Sequence, residues 1–451
     1  MNHPPSNIPG PKGHFLTGSI PEIQQDRVKF LLDLQRDYGD IVRIKLGPFE
    51  ALVLFHPDGI QHILQDNHTN YSKDTHTYAS LSALVGNGLI SSNGDFWLRQ
   101  RRLMQPAFHH QQINALSGMI CKEANSLLDG WESFIRDGEL LNMTNEMMRL
   151  SLSVATQALF GNRMHDPDHL LASNISFLMT DTAFRFEHPF YPPYWVPAAR
   201  NRQFNAAMKS LDRVIYGMIS KRRDHPKQAD DLLAMLMQAH EAGNENSMSD
   251  KQLRDEVVTL FLAGHETTAL ALSWTLYLLS QHPEVEACLR SELDHILAGR
   301  NPSLADLPKL VYTRMVLDES MRLYPPAWIT ERKALADDEI GGYLIPAGTT
   351  LAVTQYVTHR HSQFWENPNA FDPERFNPQR SEGRPRYAYF PFGGGPRQCI
   401  GKDLALLETH LVLAMIVQRC RFDLEQGLEI KTEPELSLRL KGGLKMRLRP
   451  V

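Results

Sequence analysis

Cysteine is scarce in this chain: its 451 residues hold only Cys121, Cys288, Cys399 and Cys420, and no two of them form a C-x-x-C pair. That spacing excludes a disulfide framework and suits a reducing compartment. Long apolar runs are missing as well. None reaches the ~18 residues that a membrane span needs, and the N-terminus shows no signal peptide, so the chain reads as a soluble, cytoplasmic protein without a transmembrane anchor. Positive charge is not in excess either, and the net charge of −5 argues against nucleic acid as a partner. No Gly/Ser-rich linker, charge block or internal repeat divides the sequence. Length alone suggests two or three domains, but a single domain over residues 1–451 is the expectation.

The residues that are present say more. Phe392-Gly393-Gly394-Gly395-Pro396-Arg397-Gln398-Cys399-Ile400-Gly401 holds a cysteine in a glycine-proline loop, and Leu404, Leu407, Leu411, Ala414 and Met415 follow at helical spacing. Glycine permits close backbone approach and Pro396 removes a donor, so the loop can lie flat against a large planar ligand. Cys399 falls where the helix starts, a position expected to lower its pKa and keep it ionised as a metal ligand. A phosphate loop is excluded, because Pro396 stands five before Gly401 and Asp403 follows Lys402. A dinucleotide fingerprint fails at Gln398, where the third glycine belongs. A buried structural cysteine stays open on this stretch alone.

A second unusual segment runs from Ser249 to Gln281. Ser249-Asp250-Lys251-Gln252 is a capping box and His282-Pro283 a stop, which predicts one helix of ~46 Å. Its middle, Ala263-Gly264-His265-Glu266-Thr267-Thr268, places a glycine, an acid and two alcohols where Ala and Leu are expected, and the glycine alone costs ~1 kcal/mol. Local rule-breaking of this kind marks function. His265-Glu266 begins a zinc-protease helix, but Ala269 stands at the second histidine position. An ordinary buried helix with a kink remains open. Elsewhere the chain reads as mainly helical, with β structure at Asp40 to Phe55 (turning at Gly47-Pro48), Gly341 to Thr354 and Leu436 to Leu448.

The cysteine stretch resembles the haem-ligand signature of the cytochrome P450 family, in which a cysteine thiolate is the proximal ligand of haem iron. The resemblance implies a mainly α P450 fold, haem b held through Cys399, and O₂ as co-substrate. It also implies further landmarks in fixed order, and the chain carries them between residues 94 and 401. The long segment becomes the distal helix, where Ala263 and Gly264 leave room and Glu266 and Thr267 carry protons. Glu319-Ser320-Met321-Arg322, which alone reads as an exposed ion pair, combines with Phe371-Asp372-Pro373-Glu374-Arg375-Phe376 into a buried Glu319–Arg322–Arg375 network that is structural. Trp97 and Arg101, on one helical face, match haem-propionate binders, joined by Arg332 and Arg397. Phe392 and Gly401 complete the implied cofactor contacts.

By the same resemblance the substrate pocket is lined from Tyr78 to Ile90, including Leu84 and Val85, and from Phe177 to Phe186. Val258 and Phe261 join it, as do Ala327, Trp328, Ile329, Leu436 and Ser437. Nearly all are apolar, which implies a lipophilic substrate. The motifs are similar to those of fatty-acid hydroxylases, yet the first hairpin reads Gly47-Pro48-Phe49-Glu50-Ala51 where some of those enzymes carry a basic residue. Fatty acid is the first expectation, with terpenoids, steroids and other lipophiles open beside it. The implied activity inserts one oxygen atom from O₂, with electrons from a ferredoxin, flavodoxin or other separate reductase, since Val451 follows soon after the last β region. A peroxide-driven peroxygenase or isomerase and a haem-thiolate sensor are the alternatives, both disfavoured by Glu266 and Thr267. Arg99 and Arg102 turn away from the face of Trp97 and Arg101. With Lys402, Arg384 and Arg386 they form an expected basic patch for an acidic donor.

Overall fold

Helices carry the architecture because apolar residues recur at three- and four-residue intervals along most of the chain. Among the described residues β structure is confined to four small sheets. The computed structural model describes residues 8–161, 170–188, 191–224, 231–241, 248–425 and 427–451. The long helix spans Asp250–Gln281, 32 residues. Both halves of its capping box form: Ser249 Oγ accepts from the Gln252 N–H, and the Gln252 side chain accepts from the Ser249 N–H. Pro283 opens the next helix directly after His282. The C-terminal half of the long helix, including Leu270, Trp274 and Leu276, runs through the main apolar core beside helices Met143–Phe160 and Lys402–Arg419.

The Asp40 to Phe55 segment folds into the predicted hairpin, Ile41–Leu46 against Phe49–Leu54, with Gly47 at φ 62° in the turn. Thr350–Val353 adds parallel to its second strand, followed by Thr330–Ala334 and Tyr71–Ser72. Each remaining predicted β region divides in two. Tyr343–Ile345 pairs locally with Asp338–Ile340, whereas Thr350–Val353 joins the large sheet. Leu438–Leu440 forms a hairpin with Thr432–Pro434, and Lys445–Pro450 lies between Leu140–Asn142 and Cys420–Leu424. The helices and the large sheet enclose a cavity of about 1120 Å³. Among the described residues no helix is long and apolar enough to cross a membrane.

Candidate active site

The cysteine loop is shaped by what its glycines touch. A Cβ on Gly394 would come within 2.3 Å of the Tyr387 ring, and one on Gly395, at φ 62°, would sit 1.9 Å from the Leu64 carbonyl oxygen. Only glycine lets the loop seat there. Tyr387 Oη donates to Gln65 Oε1 at 3.0 Å on the same side, and the Cys399 N–H donates to the Phe392 carbonyl at 2.9 Å. The helix Lys402–Arg419 then begins as the spacing predicts. Cys399 lies deep in the protein, yet its side chain is open to the cavity. Its acidity departs from expectation. Burial pushes the thiol up, outweighing the Gly401 N–H and the Arg101 charge that pull it down. Desolvation of a thiolate exceeds what one N–H and a half-buried guanidinium return, so the helix start alone does not ionise it.

Across the cavity stands the long helix. Ala263 is exposed although it lies in the middle of that helix, because it faces the cavity; Gly264, Glu266 and Thr267 line the same wall. Thr267 Oγ1 donates to the Ala263 carbonyl at 2.7 Å, a common resting arrangement for a helical threonine. Glu266 is almost wholly buried, and its Oε1 accepts from Arg439 Nε at 2.5 Å. Arg439 was not anticipated, because nothing in its local sequence ties a strand residue to a helix 173 positions away.

Cations gather at the cavity edge. Trp97 is buried, and the Arg397 guanidinium lies 4.1 Å over its ring while donating to the Ser92 carbonyl at 2.7 Å. Arg332 is buried and donates to the Glu331 carbonyl at 2.7 Å. Arg101 lines the cavity one helical turn beyond Trp97. Lys73, which sequence reasoning missed, is buried beside them; its Nζ donates to the Ile90 carbonyl at 2.8 Å and lies 4.7 Å over Tyr78. Burial, together with Arg332 and Arg397, holds the Lys73 ammonium well below the usual lysine range. The same causes, burial first and then Arg332, press Arg397 down to about 9. Among the described residues none of these four cations is in an ion pair.

The third cluster closes on itself. Arg322 and Glu319 are fully buried and meet in a two-pronged pair, Nε to Oε2 at 2.6 Å and NH2 to Oε1 at 2.8 Å. Arg375 lies 3.3 Å from Glu319, out of line for a hydrogen bond, and donates to the Asn367 carbonyl at 2.9 Å. Arg322 also donates to the His359 and Pro368 carbonyls. His359 Nε2 accepts the Phe390 N–H at 3.0 Å, which links the network to the cysteine loop two residues on.

Several expected pocket residues lie elsewhere. Val85, Ala327, Trp328 and Leu436 line the cavity, but Leu84, Val258 and Phe261 are buried in the adjoining apolar core and Phe177 packs against that core. The helix phase explains the correction. Val258 and Phe261 share a face turned into the core, so Thr259, Leu262 and Ala263 meet the cavity instead. Met179 and Phe186 take the place expected of Phe177. The basic patch also changes: Arg102 is exposed, but Arg384 folds over Trp365 at 4.1 Å and donates to the Arg375 carbonyl.

These surroundings fit haem. A sulfur opens into the cavity from one wall, small residues face it from the other, and cations without carboxylate partners sit where two propionates would neutralise them. Comparison with known proteins points the same way. Residues 8–447 match the family model described as Cytochrome P450. Cyclooctatin synthase of Streptomyces melanosporofaciens is 34% identical over 95% of this chain and 92% of its own. Pentalenene oxygenase of Streptomyces avermitilis is 31% identical over 87% and 86%. A solved structure, the cytochrome P450DA heme domain, superposes with a TM-score of 0.89 at 26% identity, covering 98% of both chains. The chain belongs to the cytochrome P450 family, as a haem-thiolate monooxygenase that uses O₂.

Proposed function

We propose that this enzyme hydroxylates a cyclic terpenoid, with electrons from a separate acidic ferredoxin- or flavodoxin-type protein. The observation that carries the substrate reading is the cavity itself: about 1120 Å³, bounded by Leu81, Val85, Leu89, Met179, Phe186 and Leu262. A rigid apolar skeleton gains most from such a lining, since its burial carries little ordering cost. Fatty acid is less favoured, because the hairpin cations Arg43 and Lys45 are drawn to Glu50 at 3.8 and 3.7 Å and so are occupied. The named relatives, a cyclooctatin synthase and a pentalenene oxygenase, agree with a terpenoid.

In this reading Cys399 would supply the thiolate that holds the haem iron, and Trp97, Arg101, Arg332 and Arg397, with Lys73 beside them, would bind its propionates. Phe392, Gly401 and Ala263 would contact the cofactor. Bound there, haem supplies the iron at which O₂ is activated. The remaining work falls to side chains. The apolar wall excludes water, which keeps electrons from being lost to side reactions. Thr267 and Glu266 move protons on the distal side, the threonine hydroxyl turning from the Ala263 carbonyl toward the cavity.

A ligand panel tests the substrate reading: cyclic terpene hydrocarbons, hydroxylated terpenes, steroids and fatty acids are titrated while the Soret band is followed. The cyclic terpenes should displace the water ligand most tightly. Tight shifts from straight-chain fatty acids with none from terpenes would overturn it. For Cys399→Ser, the red-shifted band of the reduced CO complex should vanish; its survival would remove Cys399 as ligand.

A further inference from the structure

The distal acid is the inner end of a chain of charged groups. Arg439 donates from Nε to Glu266 Oε1 and from NH1 to Glu435 Oε2, at 2.5 and 2.8 Å. Glu266 and Glu435 both line the cavity, and side-chain exposure rises from 4% at Glu266 to 21% at Arg439 and Glu435. Arg439 and Glu435 are thus more accessible to water than Glu266, with Glu435 itself on the cavity wall. Arg439 and Glu435 stand on the C-terminal hairpin, Thr432–Pro434 paired with Leu438–Leu440, where Glu433 is the cross-strand partner of Arg439.

That hairpin is pinned. Trp274 Nε1 donates to the Leu438 carbonyl, Trp328 Nε1 to the Glu435 carbonyl, and the Leu438 N–H to the Pro326 carbonyl, each at 2.9 Å. Arg439 and Glu435 are thus held in register with the distal helix by two buried indoles. The Arg439 guanidinium faces three carboxylates, Glu266, Glu435 and Glu433, and beside Glu435 a second cation, Arg27, donates from NH1 to the Pro434 carbonyl at 2.7 Å. Another ionisable neighbour, His265, contributes no charge to the line: its Nδ1 bonds to the Phe261 carbonyl and burial pushes its pKa down.

We infer that Arg439 is a positioning residue for Glu266, and that protons enter the distal side through Glu435 and Glu266. The inference rests on the reading of Glu266 and Thr267 as proton carriers. Each passage takes one proton from water onto Glu435, carries it through water along the wall that both carboxylates line to Glu266, and releases one from Glu266 to the cavity. Arg439 holds the two carboxylates side by side and keeps its own protons, and no electrons move.

The test uses haem-loaded enzyme, the tightest Soret-shifting terpene, and a plant-type ferredoxin with its reductase. Product formed per electron consumed and its solvent deuterium isotope effect are measured for Glu266→Gln, Arg439→Gln, Arg439→Lys and Glu435→Gln. Glu266→Gln should lower the yield about a hundredfold, the low end for a positioned proton donor. Arg439→Gln and Glu435→Gln should lower it about threefold to tenfold, with a raised isotope effect, and Arg439→Lys should recover most of the loss. Unfolding of the haem-loaded protein supplies a readout independent of turnover: a double-mutant cycle should show coupling between residues 266 and 439. The CO spectrum and ligand affinity should not change. Wild-type yield and isotope effect in both Arg439→Gln and Glu435→Gln, with Glu266→Gln impaired, would place the proton entrance elsewhere. Wild-type yield in Glu266→Gln would instead remove the proton-carrier reading beneath it.

Discussion

Glu319, Arg322 and Arg375 close their charges on one another, whereas Lys73, Arg101, Arg332 and Arg397 turn four cations toward one cavity. Both groups lie largely inside the protein, and both defy the rule that charge stays on the surface. The difference is in the accounting of partners. In the first, a two-pronged pair, a second guanidinium 3.3 Å from the same carboxylate and surrounding carbonyls balance the charge, so the cluster needs no further anion. In the second, only neutral oxygens and two aromatic faces are present among the described residues, and burial first, then like charge, lowers the pKa of Lys73 and Arg397. Buried charge left open in this way is a binding site for an anion, while buried charge that is closed is a joint.

The strongest way to break this comparison is Glu319→Ala. It strands Arg322 without a carboxylate, and removing one member of a buried pair costs about 3–5 kcal/mol. Chemical denaturation should show that loss with or without haem; a wild-type midpoint would mean that the carbonyls suffice. Arg332→Leu and Arg397→Leu sharpen the contrast from the open side. Each should weaken haem retention by roughly 1.5–3 kcal/mol, the worth of a charge-assisted contact. Transfer of haem to an acceptor protein measures this. The haem-free protein should lose no stability, and destabilisation comparable to Glu319→Ala would make these cations joints as well.

Glu256 offers a third case, a buried carboxyl with no cationic partner among the described residues. Its Oε2 accepts the Leu89 N–H at 2.9 Å, Oε1 has no protein partner, and burial pushes its pKa up to about 8. The folded value lies above the unfolded 4.5, so the folded state holds a proton that the unfolded state releases. Stability should therefore fall as pH rises from about 4.5 and level off above about 8. Glu256→Gln should match wild type near pH 4.5 and exceed it above pH 8 by about 1–3 kcal/mol. Parallel pH curves for the two proteins would show that the carboxyl finds a partner. The smallest effect belongs to the surface. Arg99→Glu with Arg102→Glu should slow electron transfer from an acidic ferredoxin at low salt, with the difference shrinking as salt rises. Equal rates would show that the donor docks away from this helix.

How much was legible follows the same division. Cys399, Trp97, Glu319 and Arg322 sit in short motifs whose spacing carries their geometry, and the capping box at Ser249 and the Gly47 turn are local signals of the same kind. Lys73 and Arg439 carry no such signal. Each acquires its meaning from a partner far along the chain, as Lys73 does from Arg332 and Arg397. The pocket residues failed for a subtler reason. A helix period places Val258 and Phe261 on one face but does not say which face meets the cavity, and a rotation of one residue exchanges lining for core. Thr330–Ala334 was hidden because its sequence, Thr-Glu-Arg-Lys-Ala, is polar, and its strand character comes from Thr350–Val353 beside it.

The seat of Gly395 against Leu64 has a bearing on how the molecule comes into being. Tyr387 and Gln65, which meet in the same place, are 322 residues apart. At ~5–20 residues per second of synthesis, ~16–64 s pass between the emergence of the two surfaces. Contacts of such sequence separation form late, after local helices and hairpins have already appeared. The loop that presents the sulfur is thus among the last parts able to take its shape. A newly made chain spends its early life without a place for iron, and cofactor capture marks the completion of folding.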